Sequence, residues 1–244
     1  MTATDQPINM STATMADAAL HFPQSMELFK QYNLDYCCHG KMPFVEACQL
    51  ANLDPEKVWG EVQQLPVRGR GNLLHFENWN SSVLVDFIVQ HHHEYVRNAI
   101  PQISELLDKI CEVHGDTNPE LLTVRKAYND LAEELIGHLP KEEQILFPAI
   151  KRIEGQPIAS VESEISPSAL SMPIQVMENE HERAGQLIKS IRALTHHYTI
   201  PSYACPSYQL AFTMLHEFDD DLMQHIHLEN NILFPRYKSR FTPM

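Results

Sequence analysis

The sequence predicts an all-α protein, an up-down four-helix bundle preceded by a small N-terminal helical domain that carries adjacent cysteines. Three features lead there. From Asn78 onward the apolar residues recur at helical spacing over long stretches, and strand-like alternation is essentially absent. The connections between those stretches are polar and rich in Gly, Pro and Ser. A segment of the second stretch also reappears without a gap in the fourth, so the bundle reads as two like hairpins.

Residues 1–12, rich in Thr and Ser, read as a flexible tail. Residues 13–70 make the small domain. Helices over 25–32 and 43–51 flank a turn holding Cys37 and Cys38. Asp54 and Pro55 then supply an N-cap and a first-turn proline for a helix over 56–65. Residues 66–72 read as a linker. Residues 71–244 make the bundle, with helices near 79–111, 118–151, 173–196 and 206–238. Pro101, Pro140 and Pro148 should kink or end their helices. The interval 155–172, with Gly155, Pro157 and Pro167, reads as a surface connection.

Composition excludes several functions. A formal charge of −14 opposes nucleic-acid binding, which needs a basic face. The 8 glycines form neither a GxGxxG nor a GxxxxGK[ST] phosphate loop, and no GxSxG elbow occurs. No apolar run approaches the roughly 18 residues that span a bilayer, and the first residues lack a secretory pattern. Five cysteines, an odd number without an export signal, point to reduced thiols in the cytoplasm. Cys37 and Cys38 lack the Cys-x-x-Cys spacing of zinc knuckles, and a disulfide between neighbours is strained. They are either small half-buried residues of a turn or an exposed thiol pair that exchanges with a protein or hands over metal.

The chemistry lies in the repeat. His138 to Pro148 and His225 to Pro235 both read H-x-x-x-E-x-x-I-L-F-P. His93 lies 45 residues before His138, and His181 lies 44 before His225. Each hairpin thus offers one His from its first helix and a His–Glu pair from its second: His93 with His138 and Glu142, His181 with His225 and Glu229. Residues four apart share a helix face, so each pair can reach one point of the bundle core. Solvated polar faces are the alternative, but the shared frame opposes it, and buried imidazoles and carboxylates need compensation. Six donors exceed a tetrahedral zinc site, and the nitrogen content is wrong for calcium or magnesium. Two ions, each with two His and sharing both carboxylates, account for every donor. Imidazole plus carboxylate suits iron, with manganese or zinc as substitutes, and positions remain open for an oxo bridge and a diatomic ligand.

Among the other histidines, the consecutive His91, His92 and His93 cannot all face the core; the hairpin spacing selects His93, and the other two read as surface residues or supports of a ligand. His114 reads as a capping or surface residue. His196, His197, His216 and His227 have no counterpart in the other hairpin. Glu134, one turn before His138, and Glu180, beside His181, are candidates to orient a histidine ligand, with solvated charge as the other reading of both.

These motifs resemble the repair-of-iron-centres family (YtfE or ScdA type). The likeness runs through Leu34-Asp35-Tyr36-Cys37-Cys38 and through His93, His138-x-x-x-Glu142, Glu178-Asn179-Glu180-His181-Glu182 and His225-x-x-x-Glu229, nearly the whole chain. The resemblance implies an ScdA-type domain over 13–70 and a hemerythrin-like di-iron bundle over 71–244. It also implies an oxo- or hydroxo-bridged centre of two non-haem iron ions on His93, His138, Glu142, His181, His225 and Glu229, and a cytoplasmic role in restoring iron–sulfur clusters after oxidative or nitrosative stress, with Cys37 and Cys38 as thiol or transfer residues. The sequence departs from the family at His39, where Gly is usual, and in a longer connection before His181. The expected partners are damaged iron–sulfur proteins or apo acceptors, with nitric oxide or dioxygen as small ligands. Association of the thin-cored N-terminal domain as a homodimer is a further expectation. The alternatives are a gas-binding or gas-sensing module and a nitric oxide reductase; an iron-donating repair protein fits better than a turnover enzyme, since no flavin or haem motif supplies electrons.

Overall fold

The computed structural model describes residues 8–66, 74–155 and 167–238. Regular structure among them is helical, apart from one isolated antiparallel bridge between Thr14 and Pro43. No helix among the described residues is long and apolar enough to cross a membrane. The expected linker, from residue 67 on, and most of the expected surface connection at 155–172 lie outside the described residues, as do residues 1–7 of the expected tail. Residues 9–12 form a turn: the Asn9 carbonyl accepts the N–H groups of Thr12 and Ala13 at 3.1 and 2.9 Å.

The chain divides into two compact units, Met1–Asn78 with His227–Ile232, and Trp79–Ile226 with Leu233–Met244. In the first unit run α1 (Met15–His21), α2 (Met26–Gln31), α3 (Phe44–Leu50) and α4 (Pro55–Gln64). The sequence reading lacks α1. A capping box starts it: the Thr14 hydroxyl accepts the Asp17 N–H at 3.1 Å, and the Asp17 carboxylate accepts the Thr14 N–H at 2.9 Å. Asp54 caps α4 as expected, accepting the Glu56 N–H at 3.0 Å. The core closes on aromatic rings, with Phe44 edge-on to Trp59 at 4.9 Å and Phe29 beside Phe44.

In the second unit α5 (Ser81–Phe87) passes through a π-helical turn, Ile88–His93, into α6 (Glu94–His114). Likewise α7 (Glu120–Lys141) passes through Glu142–Leu146 into α8 (Phe147–Glu154). After α9 (Ser171–Leu194), α10 (Pro206–His227) passes through Leu228–Leu233 towards α11 (Pro235–Lys238). Both α6 and α9 pack against α7, around a core that includes Ile103, Leu107, Leu121, Tyr128, Ile188, Leu215 and Phe218.

The prolines do not end these helices. Pro101 and Pro140 lie inside α6 and α7. A proline ring clashes with the carbonyl four residues back, and for Pro148 and Pro235 that carbonyl, of Gln144 and Asn231, lies within a π-turn. The wider turn moves it aside, so the helical path continues directly into α8 and, after Phe234, into α11.

Away from the histidines, Arg192 and Asp219 form a buried bidentate pair at 2.9 and 2.7 Å. Tyr198 donates its hydroxyl to Asp219 at 2.8 Å. This bond helps hold the left-handed turn at His196, His197 and Tyr198, with φ of 46°, 55° and 58°, which costs energy at non-glycine residues.

Candidate metal centre

The residues of the repeat come together. His93 ends the first π-turn, His138 lies in α7, Glu142 opens the second π-turn, His181 lies in α9, His225 in α10 and Glu229 in the third π-turn. All six are buried. Their donor atoms fall into two groups, His93–Glu142–His225–Glu229 and His138–Glu142–His181–Glu229, with the atoms of each group within 4.8 Å of one another. Both glutamates belong to both groups.

The spacing suits ions. The Nε2 atoms of His93 and His225 lie 3.1 Å apart, as do those of His138 and His181. Nitrogens in adjacent positions around one ion, each about 2.0–2.1 Å from it, lie about 2.9–3.4 Å apart. Glu142 Oε2 stands 3.4 Å from His93 Nε2 and 3.3 Å from His138 Nε2, so one carboxylate faces both groups. Neither Glu142 oxygen accepts an aligned hydrogen bond. A carboxylate this deep without such bonds calls for a cation. Burial alone would raise its pKa; the imidazoles of His138, His93 and His181 outweigh that and hold it well below the usual carboxylate range.

Carboxylates behind two of the clustered histidines set the imidazole protons. Glu143 Oε1 meets His93 Nδ1 at 2.6 Å and also takes the Arg97 guanidinium. Glu180 Oε2 meets His138 Nδ1 at 2.8 Å, and its other oxygen accepts Lys141 at 2.6 Å. Burial raises the pKa of both carboxyls, but the hydrogen bonds from His93 and Arg97 to one, and from Lys141 and His138 to the other, outweigh it and hold both below the usual range. With Nδ1–H donated to an anion, Nε2 keeps its lone pair for the interior. Glu180, the chain neighbour of His181, thus stands behind His138 instead. Glu134, one turn before His138, accepts Arg183 Nε at 3.4 Å, while Glu180 occupies His138 Nδ1. Glu143 escaped the sequence reading, although it flanks Glu142 as Glu180 flanks His181.

Two family models cover most of the chain: the hemerythrin HHE cation-binding domain matches residues 85–237, and a domain of unknown function, the ScdA N-terminal domain DUF542, matches 11–66. The iron-sulfur cluster repair protein YtfE of Yersinia pseudotuberculosis serotype IB (strain PB1/+) is 36% identical, over 89% of this chain and 93% of its own length. The probable iron-sulfur cluster repair protein of Haemophilus influenzae (strain ATCC 51907 / DSM 11121 / KW20 / Rd) is also 36% identical, over 91% and 95%. The chain belongs to the YtfE family of iron–sulfur cluster repair proteins. Within this YtfE-family chain the hemerythrin match contains all six clustered residues, and the ScdA match contains Cys37 and Cys38.

Other histidines of the YtfE-family chain divide by burial. His91 is exposed and stacks on Phe87, whereas His92 is fully buried. A π-turn advances each residue by a smaller angle than an α-turn, so adjacent His92 and His93 both point inward while His91 stays outside. His92 Nδ1 meets Asp221 at 2.8 Å, and its ring lies parallel to that of His225 at 5.5 Å. His114 Nε2 approaches the Cys205 thiol at 3.4 Å. His227 is buried, edge-on to Tyr36, and burial pushes its imidazole down to about 4. Cys37 is buried and Cys38 half-buried, and neither is in a disulfide.

Proposed function

We propose that this protein repairs iron–sulfur clusters damaged by oxidative or nitrosative stress, using a centre of two non-haem iron ions held by His93, His138, Glu142, His181, His225 and Glu229. The observation carrying this reading is the division of the six donors into two groups that share both carboxylates. Imidazole and carboxylate donors in this ratio suit iron. When bound, such a pair supplies redox-active iron with open positions for small ligands. The chain's own residues do the rest. Glu143 and Glu180 hold the rings of His93 and His138 in the ligating tautomer, and His92 buttresses the ring of His225. Cys37 and Cys38 are proposed to assist as thiols, and the clients to be damaged or apo iron–sulfur proteins.

The test is reactivation of a cluster enzyme damaged by nitric oxide, with iron counted in the same samples. Two iron ions per chain and loss of both iron and reactivation in His138→Ala are the expected results. Reactivation as complete as that of the wild type by both His138→Ala and a Cys37→Ala/Cys38→Ala protein would sink the reading.

A second reading, reversible binding of nitric oxide or dioxygen, draws on a cavity beside His138, His181 and His225. Its apolar wall is Leu135, Ala184, Leu222 and Ile226, a lining that admits a diatomic molecule and disfavours a larger polar substrate. Tight gas binding without iron release to an apo acceptor would favour it.

A further inference from the structure

The loop between α2 and α3 brings together a second set of donors, of a different chemical kind. We propose that Asp35, Cys37 and Cys38 form a site for one thiophilic divalent ion, such as Zn2+ or Fe2+, with His39 orienting the carboxylate. The proposal stands independently of the repair reading, since the donors clustered in the bundle include no sulfur.

The geometry carries it. The two Sγ atoms lie 3.8 Å apart. Two thiolates on a tetrahedral ion, each about 2.3 Å from it, stand about 3.8 Å apart. Asp35 Oδ1 lies 3.3 Å from Cys37 Sγ, against about 3.5 Å for a carboxylate oxygen and a thiolate on the same ion. The three donors lie within 4.8 Å of one another. By contrast the sulfur separation is far beyond the roughly 2.05 Å of a disulfide.

The loop holds this arrangement. Asp35 Oδ1 accepts the N–H groups of Cys37, Cys38 and His39 at 3.1, 2.9 and 3.3 Å, which curls the backbone around the carboxylate. Asn231 donates to the carbonyls of Tyr36 and Cys37, at 3.1 Å each, and Asn230 donates to that of Cys37 at 3.4 Å. At Gly40 a Cβ would meet Asn231 Oδ1 at 2.3 Å, so the seat against Asn231 needs a glycine. His39 Nδ1 meets Asp35 Oδ2 at 3.0 Å, leaving Oδ1 on the thiol side. A groove lined by Tyr32, Asp35, His39 and Met42 opens beside the carboxylate.

Two sulfurs select a soft ion over magnesium or calcium. Three protein donors leave a fourth position for water or for a donor from another molecule, as open zinc sites do. Binding converts two thiols to thiolates and releases two protons, so affinity rises with pH.

Cd2+ titration of the full-length, phosphine-reduced protein tests this through the ultraviolet sulfur-to-metal charge-transfer band, to which imidazole and carboxylate donors contribute nothing. With the bundle centre already loaded with iron, a dithiolate band saturating at one Cd2+ per chain and release of two protons are expected. Cys38→Ser, a change at a half-buried position, should halve the band and weaken binding at least about 100-fold. His39→Gly should weaken binding about 10–100-fold with the full band at saturation, and His39→Asn should recover part of that loss. Glu142→Gln should leave the band and affinity unchanged. Absence of the band in the wild-type protein, or its survival in Cys37→Ser/Cys38→Ser, overturns the site; an unchanged affinity in His39→Gly overturns the role of His39.

Discussion

A carboxylate bonded to the outer nitrogen of a histidine fixes which nitrogen carries the proton and stiffens the ring at once. Glu143 and Glu180 do this for His93 and His138. Glu143→Gln and Glu180→Gln should therefore each lower metal affinity about 10–100-fold in competition with a chelator, whereas Glu134→Gln, which touches Arg183 rather than His138, should leave it unchanged. Equal losses for all three would mean that bulk negative charge, not ring orientation, governs affinity. The buried Arg192–Asp219 pair belongs to stability instead. Arg192→Leu leaves the Asp219 carboxylate buried without its guanidinium, a loss of about 3–5 kcal/mol measurable by denaturant unfolding, with metal content retained by the folded protein. The sequence does not show this pair, because Arg192 and Asp219 are 27 residues apart and meet only where α9 and α10 come together. By contrast the six clustered donors are legible, since the chain writes the same spacing twice.

The elements divide in the same way. Four long amphipathic segments announce the bundle through their periodicity, and each observed helix falls close to its expected span. The π-turns do not announce themselves, because one widened turn barely disturbs a pattern averaged over twenty residues. Its trace in the text is the proline that closes each I-L-F-P motif. The seven residues of α1 offer too few apolar positions for a periodic signal, and the Thr14–Asp17 capping box is the clue that was there to read. If Pro148 favours the wide turn, then Pro148→Ala should let residues 142–146 tighten towards α-helix. Glu142 would then rotate relative to His138, four residues earlier. Metal affinity should fall about tenfold while far-ultraviolet circular dichroism holds or gains helicity. Full affinity in Pro148→Ala would show that packing around Leu146 and Phe147, rather than the proline, sets the turn.

Across the whole molecule the question is what four imidazoles and two carboxylates do to stability when they are buried together. His93, His138, His181 and His225 come from four separate helical stretches, so ions on them would tie those stretches to one another. Ligands that bind only the folded state stabilise it by mass action, by about 2.7 kcal/mol at a concentration 100 times the dissociation constant. For a chain of this size, that corresponds to a melting temperature higher by about 5–10 °C. Chelation should remove the increment, and adding Fe2+ back anaerobically should restore it. Glu142→Gln separates this effect from general fragility, since it removes the charge facing both ion groups while nearly preserving side-chain volume. Its melting temperature should respond little to chelator, and the apo forms of the two proteins should melt close together. Acid should act in the same direction as chelation, because protonated imidazoles cannot ligate. Identical melting of the metal-loaded and stripped wild-type protein would mean that packing alone holds the four stretches, and the donors would then have to satisfy one another.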